Sequence, residues 1–426
     1  MSHFALVDCN NFYASCEMVF DPSLRRQPVV VLSNNDGCVI ARSNESKAMG
    51  IPMGAPFHEV KKIIEEQGVR VFSSNYTLYG DMSRRVMQTL SHLAPHMEIY
   101  SIDEAFLDLS GVSEPLSLYA AKIQKTVLKW TGIPVSIGIA PTKTLAKAAN
   151  KIAKKNRRLN GIFNLDDKKR QDKALKTLAV EDIWGIGRRW GKRLRSTGID
   201  TAVRLRDAPN SLIQRRFNVV MKRIAFELRG ISCLDVEDIQ EANKRIIASR
   251  SFGERITELS DMEEAVAHHS TRVSEKMREQ GLSAAFITVF IRTSPFTHGE
   301  TFYHNSATIS LPYPSQDTGF IIRHALKGLT AIYKKGHRYQ KAGVMLLGLA
   351  PAEKRQQNLF DMDGNKREQK ISVLMKAFDS INTRMGRGSL KYAIEGFGHK
   401  KWKSSASSRS FAYTTRWSEL PVAWAR

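Results

Sequence analysis

Only four cysteines occur in 426 residues: Cys9, Cys16, Cys38 and Cys233. Their spacing fits neither a paired zinc site nor a disulfide scaffold, which points to a reducing cytoplasm. No apolar run approaches the roughly 20 residues of a membrane span, and no basic-then-apolar leader precedes the β-rich stretch at 3–8. A soluble cytoplasmic protein is the expectation. Acidic residues are outnumbered, with 42 Asp and Glu against 65 Lys and Arg, a net charge of +23. That excess suits a partner carrying a continuous run of negative charge; nucleic acid is the first candidate and an anionic membrane the second. The length and the 42% hydrophobic content are enough for roughly two to four domain cores.

The positive charge is concentrated. Residues 151–230 hold 22 Lys or Arg and 8 Asp or Glu, so this fifth of the chain carries +14 of the +23. Within it, Trp184-Gly-Ile-Gly187 followed by Arg188, Arg189, Lys192 and Arg193 has the form of a helix-hairpin-helix. Gly185 and Gly187 permit a tight turn that brings backbone N–H groups to a phosphate at the next helix start. Leu194 is expected to pack that helix and Gly198 to end it. Such a motif grips duplex backbone without reading sequence, because phosphate contacts position and base contacts specify.

Three carboxylates carry the chemistry. Asp8 ends the apolar run Phe4-Ala-Leu-Val-Asp8, and Asp103 and Glu104 are adjacent in Tyr100-Ser-Ile-Asp-Glu-Ala105. Carboxylates are depleted in buried strands because burying an unpaired charge costs several kcal/mol. A divalent metal removes the objection. Side chains alternate along a strand, so Asp103 and Glu104 point to opposite faces unless one lies at a strand start or bulge; a strand edge or turn is expected. On neighbouring strands, Asp8 and Asp103 can hold two Mg²⁺ ions roughly 3.5 to 4 Å apart, the arrangement of in-line phosphoryl transfer, with Glu104 as the adjustable third ligand. The competing reading has Asp103 capping a turn and Glu104 solvated.

Residues 1–165 alternate β-rich runs (3–8, 28–33, 98–109, 134–139) with amphipathic helical stretches (58–67, 76–94, 114–131, 142–154), an α+β domain. Short helices fill 170–231, a polar acidic linker spans 232–245, and a second α+β pattern with two βαβ-type halves runs over 246–350. Residues 351–426 are polar and basic with isolated aromatics, an extension expected to order on a partner.

Val7-Asp-Cys-Asn-Asn-Phe-Tyr-Ala-Ser-Cys-Glu17, Tyr100-Ser-Ile-Asp-Glu-Ala105, the helix-hairpin-helix and the 246–350 pattern together resemble the Y family of translesion DNA polymerases, across essentially the whole chain. The resemblance implies a multidomain α+β right-hand fold: palm and fingers in 1–165, a helix-hairpin-helix thumb in 170–231, a βαββαβ-like little finger in 246–350 and a C-terminal extension in 351–426. It implies an error-prone, template-directed DNA polymerase of the bacterial SOS response, associated with the nucleoid when active. No stretch is left over for a proofreading exonuclease.

By that resemblance, Asp8, Asp103, Glu104 and the Cys9 carbonyl hold two Mg²⁺, with Mn²⁺ able to replace them. Phe12 and Tyr13 lie under the incoming sugar, Tyr13 as a steric gate against the 2′-hydroxyl. Asn44 and Lys47 stand where the family usually has Tyr and Arg, and with Lys154 they meet the triphosphate; Lys offers a point charge in place of a bidentate fork. Lys147 and Lys151, on the same helix as Lys154, read as a solvated basic face. Gly37 and Ala41 leave the templating base loosely covered. Gly185, Gly187, Arg188, Arg189 and Lys192 contact DNA. Gln356-Gln-Asn-Leu-Phe360 matches the pentapeptide that binds the bacterial sliding clamp through Gln356, Leu359 and Phe360. The tail around 409–417 implies contact with cleaved UmuD dimers and RecA. The alternatives are a two-metal structure-specific nuclease and a clamp-tethered scaffold without catalysis.

Overall fold

A computed structural model describes residues 3–94, 96–236, 243–297, 299–354, 364–398 and 400–422. Contacts divide the chain into two compact units, one of Met1–Leu32, Cys38–Gln240 and Ser408–Arg426, the other of Ser33–Gly37 and Glu241–Ser407.

The first unit opens with β1 (Phe4–Cys9), all six residues buried, which continues through a left-handed Asn11 (φ 51°) into α1 (Phe12–Phe20). A small sheet follows, built from β2 (Val29–Leu32) and β3 (Val39–Arg42), then the helices α2 (Asn44–Ala48) and α3 (Phe57–Glu66), and finally β4 (Arg70–Ser73). Its order is β3-β2-β4. Next come α4 (Tyr76–Ser91), β5 (Met97–Ile99), β6 (Glu104–Asp108), α5 (Leu116–Thr131), β7 (Val135–Ala140), α6 (Lys143–Lys155) and β8 (Ile162–Asn164). The principal sheet has the order β5-β6-β1-β7-β8.

Strand alternation assigns the two faces of that sheet. Ala5, Val7 and Cys9 join a core with residues of α1, α4 and α5, while Phe4 and Leu6 join one with Ala146 and Ala149 of α6. Asp8 has the parity of Phe4 and Leu6 and therefore lies on the α6 face. Residues 98–109 do not form one strand as the sequence suggested. Tyr100 and Ser101 donate their N–H groups to the Glu104 carbonyl at 3.0 and 3.1 Å, closing a turn between β5 and β6. Asp103 lies in that turn and Glu104 opens β6.

Short helices complete the unit: α7 (Lys168–Thr177), α8 (Arg188–Arg195), α9 (Ala202–Asp207), α10 (Asn210–Arg216) and α11 (Val219–Leu228). They bury Leu175, Leu194, Leu205 and Leu228 in the same core as α6.

The second unit contains β9 (Ile246–Ile256), α12 (Leu259–Glu279), β10 (Leu282–Thr293), β11 (His304–Ser315), α13 (Thr318–Ile332) and β12 (Tyr339–Pro351). Sheet order is β11-β10-β12-β9, with every neighbouring pair antiparallel. Strands β9 and β10 therefore run parallel with β12 between them, and β11 and β12 run parallel with β10 between them. Two βαβ halves are interleaved.

The segment after 351 has more structure than its polar composition suggested. Helix α14 (Gly364–Met385) is clamped by Arg278, whose guanidinium meets both Asp379 carboxylate oxygens at 2.7 Å, and Trp402 is buried in the core of the second unit. Six residues of the 232–245 linker and the 356–360 pentapeptide lie outside the described residues. Among the described residues, no helix is long and apolar enough to cross a membrane.

Candidate active site

Asp8 and Glu104 are paired directly across the β1–β6 ladder, so both carboxylates project from the α6 face of the sheet. Asp103 is tied to the same place by its carbonyl, which accepts the Cys9 N–H at 2.8 Å. Its carboxylate accepts the Ser101 hydroxyl at 2.6 Å. Burial pushes the Asp8 carboxyl up to about 7; the neighbouring Glu104 and Asp103 charges act in the same direction and Lys154 opposes them. Burial likewise pushes the Cys9 thiol far above its ordinary value, which disfavours a thiolate there.

Helix α6 supplies the counter-charges. Lys154 is ion-paired with Asp8. Lys147 meets both Glu104 oxygens, at 2.9 and 3.1 Å, and Lys151 pairs with Asp182. Lys147 and Lys151 are thus not the solvated basic face that their spacing suggested. The Lys147 side chain is only 14% exposed, with its ammonium 4.2 Å from the Tyr100 ring centroid and 5.3 Å from that of Trp184. Those rings stand edge to face, and the Trp184 indole donates to the Tyr100 hydroxyl at 3.1 Å. The cage is assembled from three separate segments, so no local spacing announces it.

Helix α6 reaches the carboxylates because Gly138 of β7 lets it come close. A Cβ on Gly138 would lie 2.2 Å from the Asn150 nitrogen and 2.3 Å from the Ala146 carbonyl oxygen. The Asn150 amide is drawn onto the sheet, donating to the carbonyls of Ser136 at 2.7 Å and Leu6 at 3.3 Å.

Asp8, Cys9, Asp103 and Lys154 form one wall of a cleft of about 480 Å³ whose other walls include Asn11, Phe12, Tyr13, Ala41, Arg42 and Lys47. The left-handed Asn11 is a hub: its amide donates to Asn44 Oδ1 at 3.0 Å, and its Oδ1 accepts from Lys47. Asn44 therefore supports the cleft through Asn11, while Lys47 lines it. Burial, then the nearby Arg42 and Lys154, lower the Lys47 pKa. Arg42 and Asn11 went unnoticed in the sequence, although Arg42 stands only two residues before Asn44. Of the two small residues expected near a templating base, Ala41 lines the cleft and Gly37 is counted with the second unit.

Tyr13 points into the cleft, stacked on Tyr79 with centroids 4.3 Å apart and planes at 14°. Tyr76 stands perpendicular to Tyr13 with ring centroids 6.1 Å apart. Phe12 is 4% exposed and belongs to the core beneath the cleft, so for this residue packing and cleft lining coincide.

The glycine hairpin follows directly on Trp184 of the cage. Gly185 has φ +86°, a conformation that L side chains avoid, and Gly187 caps α8. Leu194 is fully buried and Gly198 (φ +82°) follows the helix end. Arg188, Arg189 and Lys192 are exposed on α8. Gln356, Leu359 and Phe360 lie outside the described residues.

Among the described residues, no group of three His, Cys, Asp or Glu side chains stands ready to hold a metal ion. The residues nevertheless fit one. Two carboxylates opposite each other on a buried ladder repel unless cations compensate, and here lysine ammoniums supply that compensation. Carboxylate and carbonyl oxygens are the donors that hard divalent ions such as Mg²⁺ and Mn²⁺ prefer.

The chain superposes on a Y-family DNA polymerase chimera based on Dbh with a TM-score of 0.65 at 22% identity, over 82% of this chain and 99% of that one. A second solved structure, an insertion ternary complex of Dbh DNA polymerase, gives a TM-score of 0.56. The fold is that of a right-hand Y-family polymerase. The impB/mucB/samB family pattern matches residues 7–151, the C-terminal domain of the same family matches 243–359, and a domain of unknown function matches 372–423. Protein UmuC of Salmonella typhimurium is 47% identical over 420 residues, covering 98% of this chain and 99% of the relative. Protein ImpB of the same species is 43% identical over 426 residues, covering 99% of each. DNA polymerase IV of Moorella thermoacetica is 28% identical over 403 residues, covering 91% of this chain and 95% of that protein. The chain belongs to the impB/mucB/samB family.

Proposed function

We propose that this protein is a DNA-directed DNA polymerase that copies past damaged template bases in the SOS response. The observation that carries the reading is the convergence, in one cleft, of Asp8, Asp103 and the cations Arg42, Lys47 and Lys154 around the Tyr13 ring. Carboxylates and cations lining one cleft suit a nucleoside triphosphate. Relatives named as DNA polymerases support the activity.

Asp8, Asp103, Glu104 and the Cys9 carbonyl would hold the divalent ions. When bound, such ions lower the pKa of an attacking hydroxyl and neutralise a leaving pyrophosphate. The remaining work falls to the chain itself. Lys154 and Lys47 receive the triphosphate, with Asn44 and Asn11 holding the Lys47 side chain in the cleft. Tyr13 fills the space beside the sugar C2′ and excludes a 2′-hydroxyl. Lys147, caged by Tyr100 and Trp184, holds the Glu104 carboxylate at the sheet face. No side chain in the cleft is assigned as a general base. Gly185, Gly187, Arg188, Arg189 and Lys192 grip the duplex backbone without sequence preference.

The division proposed is palm and fingers in 1–165, thumb in 170–231, linker in 232–245, little finger in 246–350 and a C-terminal extension in 351–426. Gln356, Leu359 and Phe360 would engage the sliding clamp, and the extension would meet cleaved UmuD and RecA. The deciding experiment is primer extension across one abasic site with Mg²⁺, dNTPs, clamp, activated RecA and cleaved UmuD. Extension by the wild type that disappears in Asp103→Ala is the expected result. Failure of both proteins with DNA binding intact would favour a scaffold, and cleavage without dNTPs would favour a nuclease.

A further inference from the structure

The segment after Ser407 belongs to the first unit and attaches beside the cleft. Ser73, the last residue of β4, donates its N–H to the Ser408 carbonyl at 2.9 Å and accepts the Ser408 N–H on its hydroxyl at 3.0 Å. Asn75, which caps α4, donates to the Ser410 hydroxyl at 3.0 Å and to the carbonyls of Ser410 and Phe411 at 3.3 and 3.2 Å. Tyr413 stacks on Phe20 with centroids 4.9 Å apart and planes at 4°. These contacts place the Ser410 hydroxyl 3.1 Å from Glu17 Oε1.

Glu17 is a carboxylate only 1% exposed, and it does not line the acidic cleft. A buried carboxylate needs donors, and the second one is the Tyr79 hydroxyl, at 2.6 Å on the same oxygen. Tyr79 is the ring on which Tyr13 stacks. Tyr13 and Glu17 are four residues apart on α1, so they share a helix face, and Tyr79 bridges them. A continuous chain of contacts therefore runs from Ser410 through Glu17 and Tyr79 to Tyr13. Burial raises the Glu17 pKa, so the two donors are what favour its ionised form.

We infer that Glu17, Tyr79 and the 408–413 strap are positioning elements that fix the Tyr13 ring and thereby set the discrimination between deoxyribo- and ribonucleotides. This rests on the reading of Tyr13 as the barrier to a 2′-hydroxyl. It gives the end of the 372–423 segment a task in substrate choice. A ring held only by van der Waals contact can tilt, whereas one stacked on a hydrogen-bonded partner is held in plane. A misplacement of about 1 Å is enough to change a rate ratio by an order of magnitude or more.

The test uses the full chain with clamp, activated RecA and cleaved UmuD, and measures kcat/KM for dNTP and for the matching rNTP. The variants are Tyr13→Ala, Tyr79→Phe, Ser410→Ala and Ser410→Thr. Tyr13→Ala should collapse the dNTP:rNTP ratio by about 100-fold. Tyr79→Phe and Ser410→Ala should narrow it by about 3- to 30-fold, chiefly by raising rNTP use, while Ser410→Thr, which keeps the hydroxyl, restores it. A general loss of fold would lower both substrates together and leave the ratio unchanged. If Tyr13→Ala relaxes the ratio but Tyr79→Phe and Ser410→Ala leave it within about twofold, the strap has no positioning role and the gate stands. If Tyr13→Ala itself leaves the ratio unchanged, the gate fails and the inference falls with it.

Discussion

Asp8 and Glu104 face each other across the β1–β6 ladder, and each is matched by a lysine of α6, Lys154 and Lys147. One helix thus neutralises both acids of a buried pair. Replacing Lys154 by Met should raise the KM for dNTP about tenfold with a smaller change in kcat, since this lysine also lines the cleft. Steady-state single-nucleotide insertion checks it; a fall in kcat at constant KM would move Lys154 from substrate binding to chemistry.

Gly138→Ala should be far more damaging than its size suggests. The added methyl meets backbone of α6 on two sides, and neither atom belongs to a side chain that can swing away. A loss of about 3 kcal/mol or more is expected, with polymerase activity lost in parallel as α6 is lifted from the carboxylates. Urea titration with matched activity assays decides; a variant as stable as wild type would mean that β7 and α6 can separate freely.

His269 predicts acid sensitivity. It is 4% exposed, its Nε2 has no hydrogen-bond partner, and burial, helped by His268, Arg250 and Lys341, lowers its pKa to about 3. A histidine held neutral in the fold gives its full contribution above the unfolded value near 6.5 and loses it as pH falls from there toward 3. Stability to unfolding, followed by circular dichroism in a urea titration at each pH, should drop below pH 6 by about 1.4 kcal/mol per pH unit, and His269→Leu should remove that slope. Identical slopes in the two proteins would assign the acid sensitivity to other groups.

Substituting Arg188, Arg189 and Lys192 together with Ala should weaken duplex binding equally for all sequences. The slope of log K against log salt should fall by about 0.9 for each phosphate that is no longer neutralised. Fluorescence anisotropy over a salt series measures this. An unchanged slope would separate α8 from the DNA.

Alanine at Gln356, Leu359 and Phe360 should abolish stimulation by the clamp while leaving clamp-independent extension intact. A running-start extension assay with and without clamp tests this, and equal stimulation of both proteins would eliminate the pentapeptide as the tether.

The acidic part of the cleft is legible along the chain because Asp8, Asp103 and Glu104 sit in short stretches whose composition is unusual for their elements, whereas Lys154 is picked out only by the family resemblance. What is not legible depends on distant partners. Lys147 differs from a solvated lysine through Glu104, Tyr100 and Trp184, which lie 43 and 47 positions before it and 37 after. Strands β3 and β4 have four residues each, too few to show a period, and each carries an arginine at one end. Helix α14 buries Met375, Phe378 and Asn382 but exposes Val373, Leu374 and Met385, so its apolar residues do not trace one stripe. The 408–413 strap has no periodicity because backbone and serine hydroxyls hold it.

The interleaving of the two βαβ halves in the second unit bears on how it assembles. Strand β10 finds its partners in β11 and β12, and among the described strands β9 pairs with β12 alone, so the β9-α12-β10 half contains no strand pair of its own. Strand β10 can pair with β11, but β9 gains its ladder only when the chain beyond residue 339 arrives, about 80 residues after β9 has ended. Closing that long loop must precede the reward of the β9–β12 ladder, the kind of non-local pairing that slows folding.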